Sequence, residues 1–512
     1  MAGTRSLKFT EFHRAPNLSS FLLAQLHLDS LVGKITPKAI RVALERLPLS
    51  SQAYDYAFGS AIERIAAQVP DQRDLAKQVI TWIVQAKRPL AVEELQHALA
   101  VEPGEPELDS DNLPQIDDMV AVCAGLVTVD KDSDVIRLVH YTAQEYFERT
   151  RRYLLPESHL AITCLSYLLF REFARGPRET AKAIKRRIDG HLFLVYATRY
   201  WGHHARASED DPGVWRVLFA FFNSPAMGSA YQVLRYAMGY RKVYWNYEES
   251  LSITPLYFAS RCGLERAFTD LLASGMYSPN QATTMGSTPL ITASSNGRVS
   301  IVEKLLNLGA DPYLRNWYGN ALACAVESGQ SDVIRALVRH GMDPNGEADG
   351  EFTIRCAVDH DRAAAVQTLV ELGANPHVVD HNGVLFAHRA AICGCTGILD
   401  LMLREGWTTL EIKSHGRTAL LWAVDAGQEA VVRLLLDRGA DVHAQDYDEC
   451  TAMDLAFGSD HKAIADLLLA RGARESRKQQ HLTSPASSAL RVLSRDDVGE
   501  TPPMASLGAN PP

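Results

Sequence analysis

A period of about 33 residues in the second half of the chain restricts the fold more than any other feature. Gly275, Gly309, Gly341, Gly373, Gly406, Gly439 and Gly472 follow one another at spacings of 34, 32, 32, 33, 33 and 33. Sixteen residues before each stands an alanine: Ala259, Ala293, Ala325, Ala357, Ala390, Ala423 and Ala456. Four and three residues before each stands an apolar pair, from Leu271-Leu272 to Leu468-Leu469. Twelve residues before come Gly263, Gly297, Gly329, Asp361, Gly394, Gly427 and Asp460. A unit this short cannot bury its own apolar face, so the pattern specifies a stacked array. Each unit reads as two short helices. The alanine lies on the inner helix, where a small side chain lets neighbours approach, and the apolar pair on the outer helix packs back onto it. The Gly or Asp between them tolerates left-handed backbone angles, and the final glycine ends the outer helix.

Units open on Thr254-Pro255-Leu256-Tyr257 and Thr288-Pro289-Leu290-Ile291, and later on Thr418-Ala419-Leu420-Leu421 and Thr451-Ala452-Met453-Asp454. They close on Gly309-Ala310-Asp311-Pro312, Gly373-Ala374-Asn375-Pro376 and Gly439-Ala440-Asp441-Val442. These motifs resemble the ankyrin repeat, which implies a mainly α solenoid of about seven repeats over 251–475. Three units depart from the opening pattern, with Ala321, Thr353 and Phe386 at the proline position, and are expected to be bent or less stable. The resemblance implies a protein-binding role without chemistry. Candidate contact residues at the loop tips are Trp317, Tyr318, Asp343, Glu347, Asp349, His381, Asp446, Tyr447 and Asp448. Exposed aromatics there serve either as binding anchors or only as packing between tips. His388, at the motif's histidine position, is expected to be a structural hydrogen-bonder.

The first half reads differently. Residues 18–72 hold two or three helices, including Ala39–Leu47 and Tyr54–Ala67. Gly33-Lys34-Ile35-Thr36 invites comparison with a phosphate loop but fails: Leu28 stands where a glycine is needed and Ile35 where Ser or Thr is needed. Over 73–150 the order is helix (Leu75–Gln85), short extended piece (Lys87–Leu90), helix (Val92–Val101), acidic loop, helix (Pro114–Cys123), two strands (Leu126–Val129, Val135–Val139) and a helix from Thr142. That is the order of a winged helix. A helical region over 151–250 and a tail over 476–512, rich in Ser and Pro, complete the plan.

Ala86-Lys87-Arg88-Pro89-Leu90, Glu94 to Leu99, Arg137 to Tyr141 and Glu145-Tyr146-Phe147 resemble the winged-helix segment that follows the nucleotide-binding (NACHT) module of fungal STAND-type proteins. Arg199 to Ala205 resembles the helical segment after it, and residues 18–65 the end of the NACHT module. In that family the nucleotide sits on a phosphate loop far upstream. The resemblance therefore implies a STAND-type protein without its motor, either a short form or a chain whose start lies upstream of Met1. DNA binding by the winged helix is disfavoured, because its third helix carries Asp117-Asp118 where phosphate contacts need Lys or Arg. The basic stretch Arg175, Arg178, Lys182, Lys185, Arg186 and Arg187 reads as a solvated helix face.

Composition adds limits. Over 512 residues, 46% hydrophobic and 22% charged exclude wholesale disorder. Eight scattered cysteines read as reduced thiols of an intracellular protein, cytoplasmic or nuclear. Cys393-Gly394-Cys395 lacks the second pair a zinc site needs. The charge-free stretch Val217–Leu234 is broken by Asn223-Ser224-Pro225 and reads as a helical hairpin, not a membrane span. No GxSxG, HExxH or paired-CxxC signature occurs. We expect no catalytic, metal or cofactor site, and an interaction scaffold as the function. A truncated NTPase switch and a winged-helix transcription-associated regulator are the alternatives. The net charge of −9 is unevenly placed: residues 251–475 carry 18 basic and 28 acidic side chains, and the rest sums to +1. The partner is therefore expected to present a basic surface.

Overall fold

The computed structural model describes residues 36–45, 53–239, 247–348, 351–379 and 383–474. The expectations for residues 18–35, Gly33-Lys34, Asp349, His381 and the tail lie outside the described residues. The fold is mainly α. Two compact units divide the chain, residues 1–293 with 307–310, and residues 294–306 with 311–512.

In the first unit, α1 (Pro37–Glu45) and α2 (Ala53–Ala66) precede α3 (Pro70–Gln85), α4 (Val92–Leu99), α5 (Ile116–Ala121), β1 (Val127–Asp130), β2 (Val135–Leu138) and α6 (Tyr141–Thr150). Pro70 starts α3 at the position where a missing N–H costs nothing. The strands pair antiparallel from Val127 opposite Leu138 to Asp130 opposite Val135. The extended piece joins them as a third edge, because Ala91 bridges Val135 and the Ile136 amide donates to the Leu90 carbonyl. This is the expected winged-helix order, with the helix ends moved by a few residues. α2 docks on it: Arg64 and Gln68 donate to the carbonyls of Ala124 and Val122, and Arg149 pairs with Asp55 at 2.6 Å.

Seven helices follow: α7 (Glu157–Leu168), α8 (Arg171–Ala174), α9 (Ala181–Asp189), α10 (Leu194–Arg206), α11 (Pro212–Phe222), α12 (Ala226–Ala237) and α13 (Tyr247–Ser252). α11 and α12 are the expected hairpin. One expectation needs correction. Arg187 of the basic stretch is buried and donates to Ser229 Oγ and to the carbonyls of Glu172 and Gly176. Arg175 and Arg178 both pair with Glu172. The stretch is half structural, because α9 turns one of its arginines inward.

A buried polar cluster pins the winged helix to this helical block. Trp82 of α3 packs edge-on against Phe193 and Tyr196. The Lys87 amide donates to the Tyr196 hydroxyl at 3.1 Å, and Lys87 Nζ lies 3.0 Å from Glu157. His204, wholly buried, lies between Glu157 and the Tyr196 hydroxyl, 3.0 Å from the latter. The network sets its tautomer. Tyr196 accepts from Lys87 and donates to Nε2, so Nδ1–H is left to donate to the carboxylate. Burial keeps the imidazole below its usual range, outweighing the Glu157 carboxylate that favours its charged form. Burial also opposes ionisation of Glu157, but the hydrogen bonds from His204 and Lys87 outweigh it and hold the carboxyl low.

The first ankyrin helix pair, α14 (Pro255–Cys262) and α15 (Glu265–Ala273), packs into the same unit. Trp201 and Phe221 close on Phe258, at ring distances of 5.7 and 5.9 Å. Gly202 is required there, because a Cβ would meet Cys262 Sγ at 2.2 Å. Glu209 accepts from the Ala267 amide at 2.7 Å and so caps α15 from outside the repeat. Buried Glu249 accepts from the Thr284 hydroxyl and the Met285 amide, tying α13 to the loop after the repeat.

Six further pairs complete the array: α16 (Pro289–Ser295) with α17 (Val299–Asn307), α18 (Ala321–Glu327) with α19 (Ser331–Arg339), α20 (Thr353–Asp359) with α21 (Ala363–Glu371), α22 (Phe386–Cys393) with α23 (Thr396–Arg404), α24 (Ala419–Asp425) with α25 (Glu429–Asp437), and α26 (Ala452–Gly458) with α27 (Lys462–Ala470). A two-residue hairpin, β3 (Glu347–Ala348) and β4 (Glu351–Phe352), precedes α20. All seven residues assigned to the turn between helices have positive φ, Asp361 and Asp460 included, and so do all seven closing glycines. In the second unit, inner helices α18, α20, α22, α24 and α26 stack in sequence, as do outer helices α19 to α27. Of each apolar pair the first member is buried throughout this stack, as in Leu337, Leu369, Met402 and Leu435, and the second is half-buried until Leu469, which is exposed. Gln428 covers the turn before it, donating to the Ile392 carbonyl at 3.0 Å, where a Cβ on Gly394 would meet its Oε1 at 2.5 Å. Asn320, Thr418 and Thr451 cap their inner helices; Leu385, before one of the divergent units, does not.

Replacing His204 by Leu strands Glu157 and Tyr196 and is expected to cost about 1–3 kcal/mol at neutral pH. The folded imidazole titrates below the unfolded one, so its stabilising contribution is complete above about pH 6.5 and declines below it. Urea unfolding should therefore show the gap between wild type and His204→Leu narrowing toward pH 5. A constant gap would contradict a neutral His204.

Candidate interaction surface

Four of the loops joining an outer helix to the next inner helix share one construction. Asp311 Oδ1 accepts from the Tyr313 amide, Asp343 from Asn345, Asn375 from His377 and Asp441 from His443, all at 2.8–2.9 Å. A side-chain oxygen receiving the amide two residues on is an Asx turn. The chain then folds into a narrow hairpin, closed by bridges at Asn316–Gly319, Val379–Leu385, Ser414–Arg417 and Gln445–Thr451. Asp343 is therefore in the same place as three turn-making residues, and its carboxylate serves the loop.

Asp446 is also structural. Only 4% of its side chain is exposed. Oδ1 accepts from the amides of Asp448 and Cys450 at 3.0 and 2.9 Å, and Oδ2 lies 3.1 Å from Arg417 Nε. Arg417 also reaches Asp425 at 2.8 Å and lies over the Trp422 ring at 5.1 Å. Sequence position marked Asp446 as a tip residue. Its pairing with a residue 29 positions earlier was not visible there.

The aromatic candidates stand out into solvent. Trp317 is 76% exposed, Tyr447 83% and Tyr318 39%. Tyr447 rests one ring face on Gly416, where a Cβ would come within 2.5 Å of the ring. Asp448 is exposed beside it. Glu347 opens β3, and its side chain lies outside the described residues, as do Asp349 and His381. Tyr313, 61% exposed on the same loop as Trp317, was not among the residues expected from sequence. Its signal was its place just after Asp311-Pro312.

Other candidates resolve into structure. His388 is buried and its Nε2–H donates to the Ile412 carbonyl at 2.9 Å; burial lowers its pKa. None of the eight cysteines is in a disulfide: four are buried, three half-buried and Cys393 exposed. Cys395 donates to the Val358 carbonyl. Among the described residues no group of His, Cys, Asp and Glu could hold a metal ion. No described helix is long and apolar enough to cross a membrane. On the winged helix, Asp117 and Asp118 are exposed at the start of α5.

Residues 63–162 match the family model described as the winged-helix domain of GPI inositol-deacylase. Ankyrin-repeat models match 256–348, 354–446 and 388–479. The chain thus carries a winged-helix domain of that description followed by ankyrin repeats, which support a role as a protein-interaction scaffold. It is similar to azaphilone pigments biosynthesis cluster protein L of Monascus ruber, 27% identical over 281 residues, covering 49% of this chain. It spans 58% of that relative's length. It is also similar to human B-cell lymphoma 3 protein, 31% identical over 90 residues, 17% of this chain and 20% of that protein. Among solved structures, the ankyrin repeat domain of human ASB11 aligns at 22% identity with a TM-score of 0.38, over 44% of this chain and all of that one.

Removing the Asp446 carboxylate (Asp446→Ala) takes one of two carboxylate partners from Arg417 and the acceptor from two amides, and is expected to cost about 1–3 kcal/mol. Asp448→Ala should stay within about 0.5 kcal/mol. Denaturant unfolding, with hydrogen exchange at residues 445–451, distinguishes the two.

Proposed function

We propose that this protein is a non-enzymatic scaffold whose ankyrin array holds a protein partner with a basic surface. The observation that carries the reading is the set of large aromatics held in solvent by fully bonded loops. A Trp and a Tyr more than three-quarters exposed contribute nothing to a core, and such rings are the commonest anchors of protein interfaces. The excess of acidic side chains in the array supports the sign of the partner. Trp317, Tyr318 and Tyr447 are the anchors. Glu347, Asp349, His381 and Asp448 contribute at the tips, with Asp343 and Asp446 shaping the loops.

The winged helix and helical block act as one docking or transmission piece, a reading supported by the contacts of Trp82 and Lys87 with Phe193, Tyr196 and Glu157. The acids at the start of α5 favour protein packing over DNA for this domain. Descent from a NACHT/STAND-type protein is our reading of the residues shared with that family, and the name of the Monascus relative suggests an accessory role beside a biosynthetic pathway. Cysteines held outside disulfides fit the cytoplasm or nucleus.

The test uses the full chain as bait, because the first repeat is packed into the winged-helix unit. Partners captured by wild type should be lost from Glu347→Lys/Asp349→Lys/Asp448→Lys, with thermal unfolding unchanged. Capture that survives this triple reversal would refute the acidic surface. Saturable binding of ATP by the chain would favour the NTPase alternative instead.

A further inference from the structure

We propose that the loop from Tyr313 to Tyr318, together with the hairpin tip at Tyr447, grips an extended arginine-rich segment of the partner. This rests on the reading of the array as a protein-binding module and names the chemistry it selects.

The first observation is preorganised aromatic surface. Tyr313, Trp317 and Tyr318 stand in solvent within six residues of one another. Asp311 Oδ1 fixes the Tyr313 amide, Asn316 Oδ1 fixes the Tyr318 amide at 2.8 Å, and Asn316 pairs with Gly319. The rings are displayed on a loop that is already ordered, so little entropy is lost on binding.

The second is where the negative charge sits. The five loops at 311–320, 343–352, 375–385, 408–418 and 441–451 hold eleven acidic and three basic side chains. The helices among and after them, through residue 474, hold thirteen and eleven. Helical charges are matched across repeats: Arg335 pairs with Glu371, Arg389 with Asp359, Arg438 with Asp400 and Arg471 with Asp437. The imbalance thus belongs to the loop face, the same face that carries the aromatics.

A ligand that satisfies both features stacks on rings and forks to carboxylates. Guanidinium does both, while ammonium is a point charge that lies less well on a ring. The fold uses this chemistry internally: Arg417 stacks on Trp422 while bridging Asp425 and Asp446, and Arg266 lies over Trp215 at 5.1 Å. Trp317 and Tyr447 are four repeats apart, roughly 35–40 Å at the usual helix spacing. An extended segment of about twelve residues covers that span.

The experiment measures fluorescence anisotropy of the full chain with labelled twelve-residue peptides carrying Arg, Lys, Glu or Leu at alternate positions among Gly and Ser. The Arg peptide should bind saturably, more tightly than the Lys peptide and more weakly at high salt. Trp317→Ala should weaken it about tenfold, roughly 1.4 kcal/mol, and Trp317→Phe much less. Because Trp317 is exposed, both variants should melt as wild type does. Equal binding of the Glu or Leu peptide, or unchanged affinity in Trp317→Ala, would overturn the proposal. Self-association abolished by Trp317→Ala would also overturn it, by making a second copy the occupant. If the peptides fail while partner capture still depends on the tip charges, only the arginine assignment falls; failure of both removes the binding-module reading.

Discussion

Each short helix pair of this array has an apolar face it cannot cover, and the rest of the architecture follows from how that face is covered. Within the second unit the next repeat adds cover to the second member of each apolar pair: Val338, Val370, Leu403 and Leu436 are half-buried, whereas Leu469 of the last described outer helix is exposed. The first repeat is completed differently. Trp201, Gly202, Phe221 and Glu209 of the helical block supply the ring contacts, the close approach and the helix cap that a preceding repeat would have provided. That block is in turn held to the winged helix by Trp82 and Lys87, which meet Phe193, Tyr196 and Glu157 beside the buried His204. The hydrogen bonds among Lys87, Tyr196, His204 and Glu157 fix the geometry of that contact.

What the sequence disclosed and what it hid divide along contact distance. The period, the two-helix unit, the left-handed turns at Asp361 and Asp460 and the winged-helix order all arise from interactions within a few residues, so they leave a local pattern. The errors lie where the deciding partner is remote. Arg187 looked like one more charge on a basic face, and its burial depends on Ser229, 42 residues away. Asp446 looked like a tip acid until Arg417 was seen beneath it. His204 and Glu157 are 47 residues apart, and the stretch Arg199 to Ala205 that holds His204 does not point to Glu157. The turn-making role of Asp343 is of another kind: it repeats at Asp311, Asn375 and Asp441, so it is legible in the period itself.

The same distinction sharpens which loop residues are free to serve recognition. An Asx-turn carboxylate is committed to a backbone amide, and an ion-paired one such as Asp446 to a cation. Changing either disturbs the loop before it disturbs a partner. Asp448 and the rings of Tyr313, Trp317 and Tyr447 carry little of the packing, so substitution there acts on binding with small effect on folding. Helical charges, matched repeat to repeat, leave almost no net field. The loops carry more acidic than basic side chains, and like charges gathered on one face raise the free energy of the unbound protein slightly. A cationic partner relieves that repulsion while its side chains cover the rings, so the feature that weakens the isolated array is the one that favours the complex.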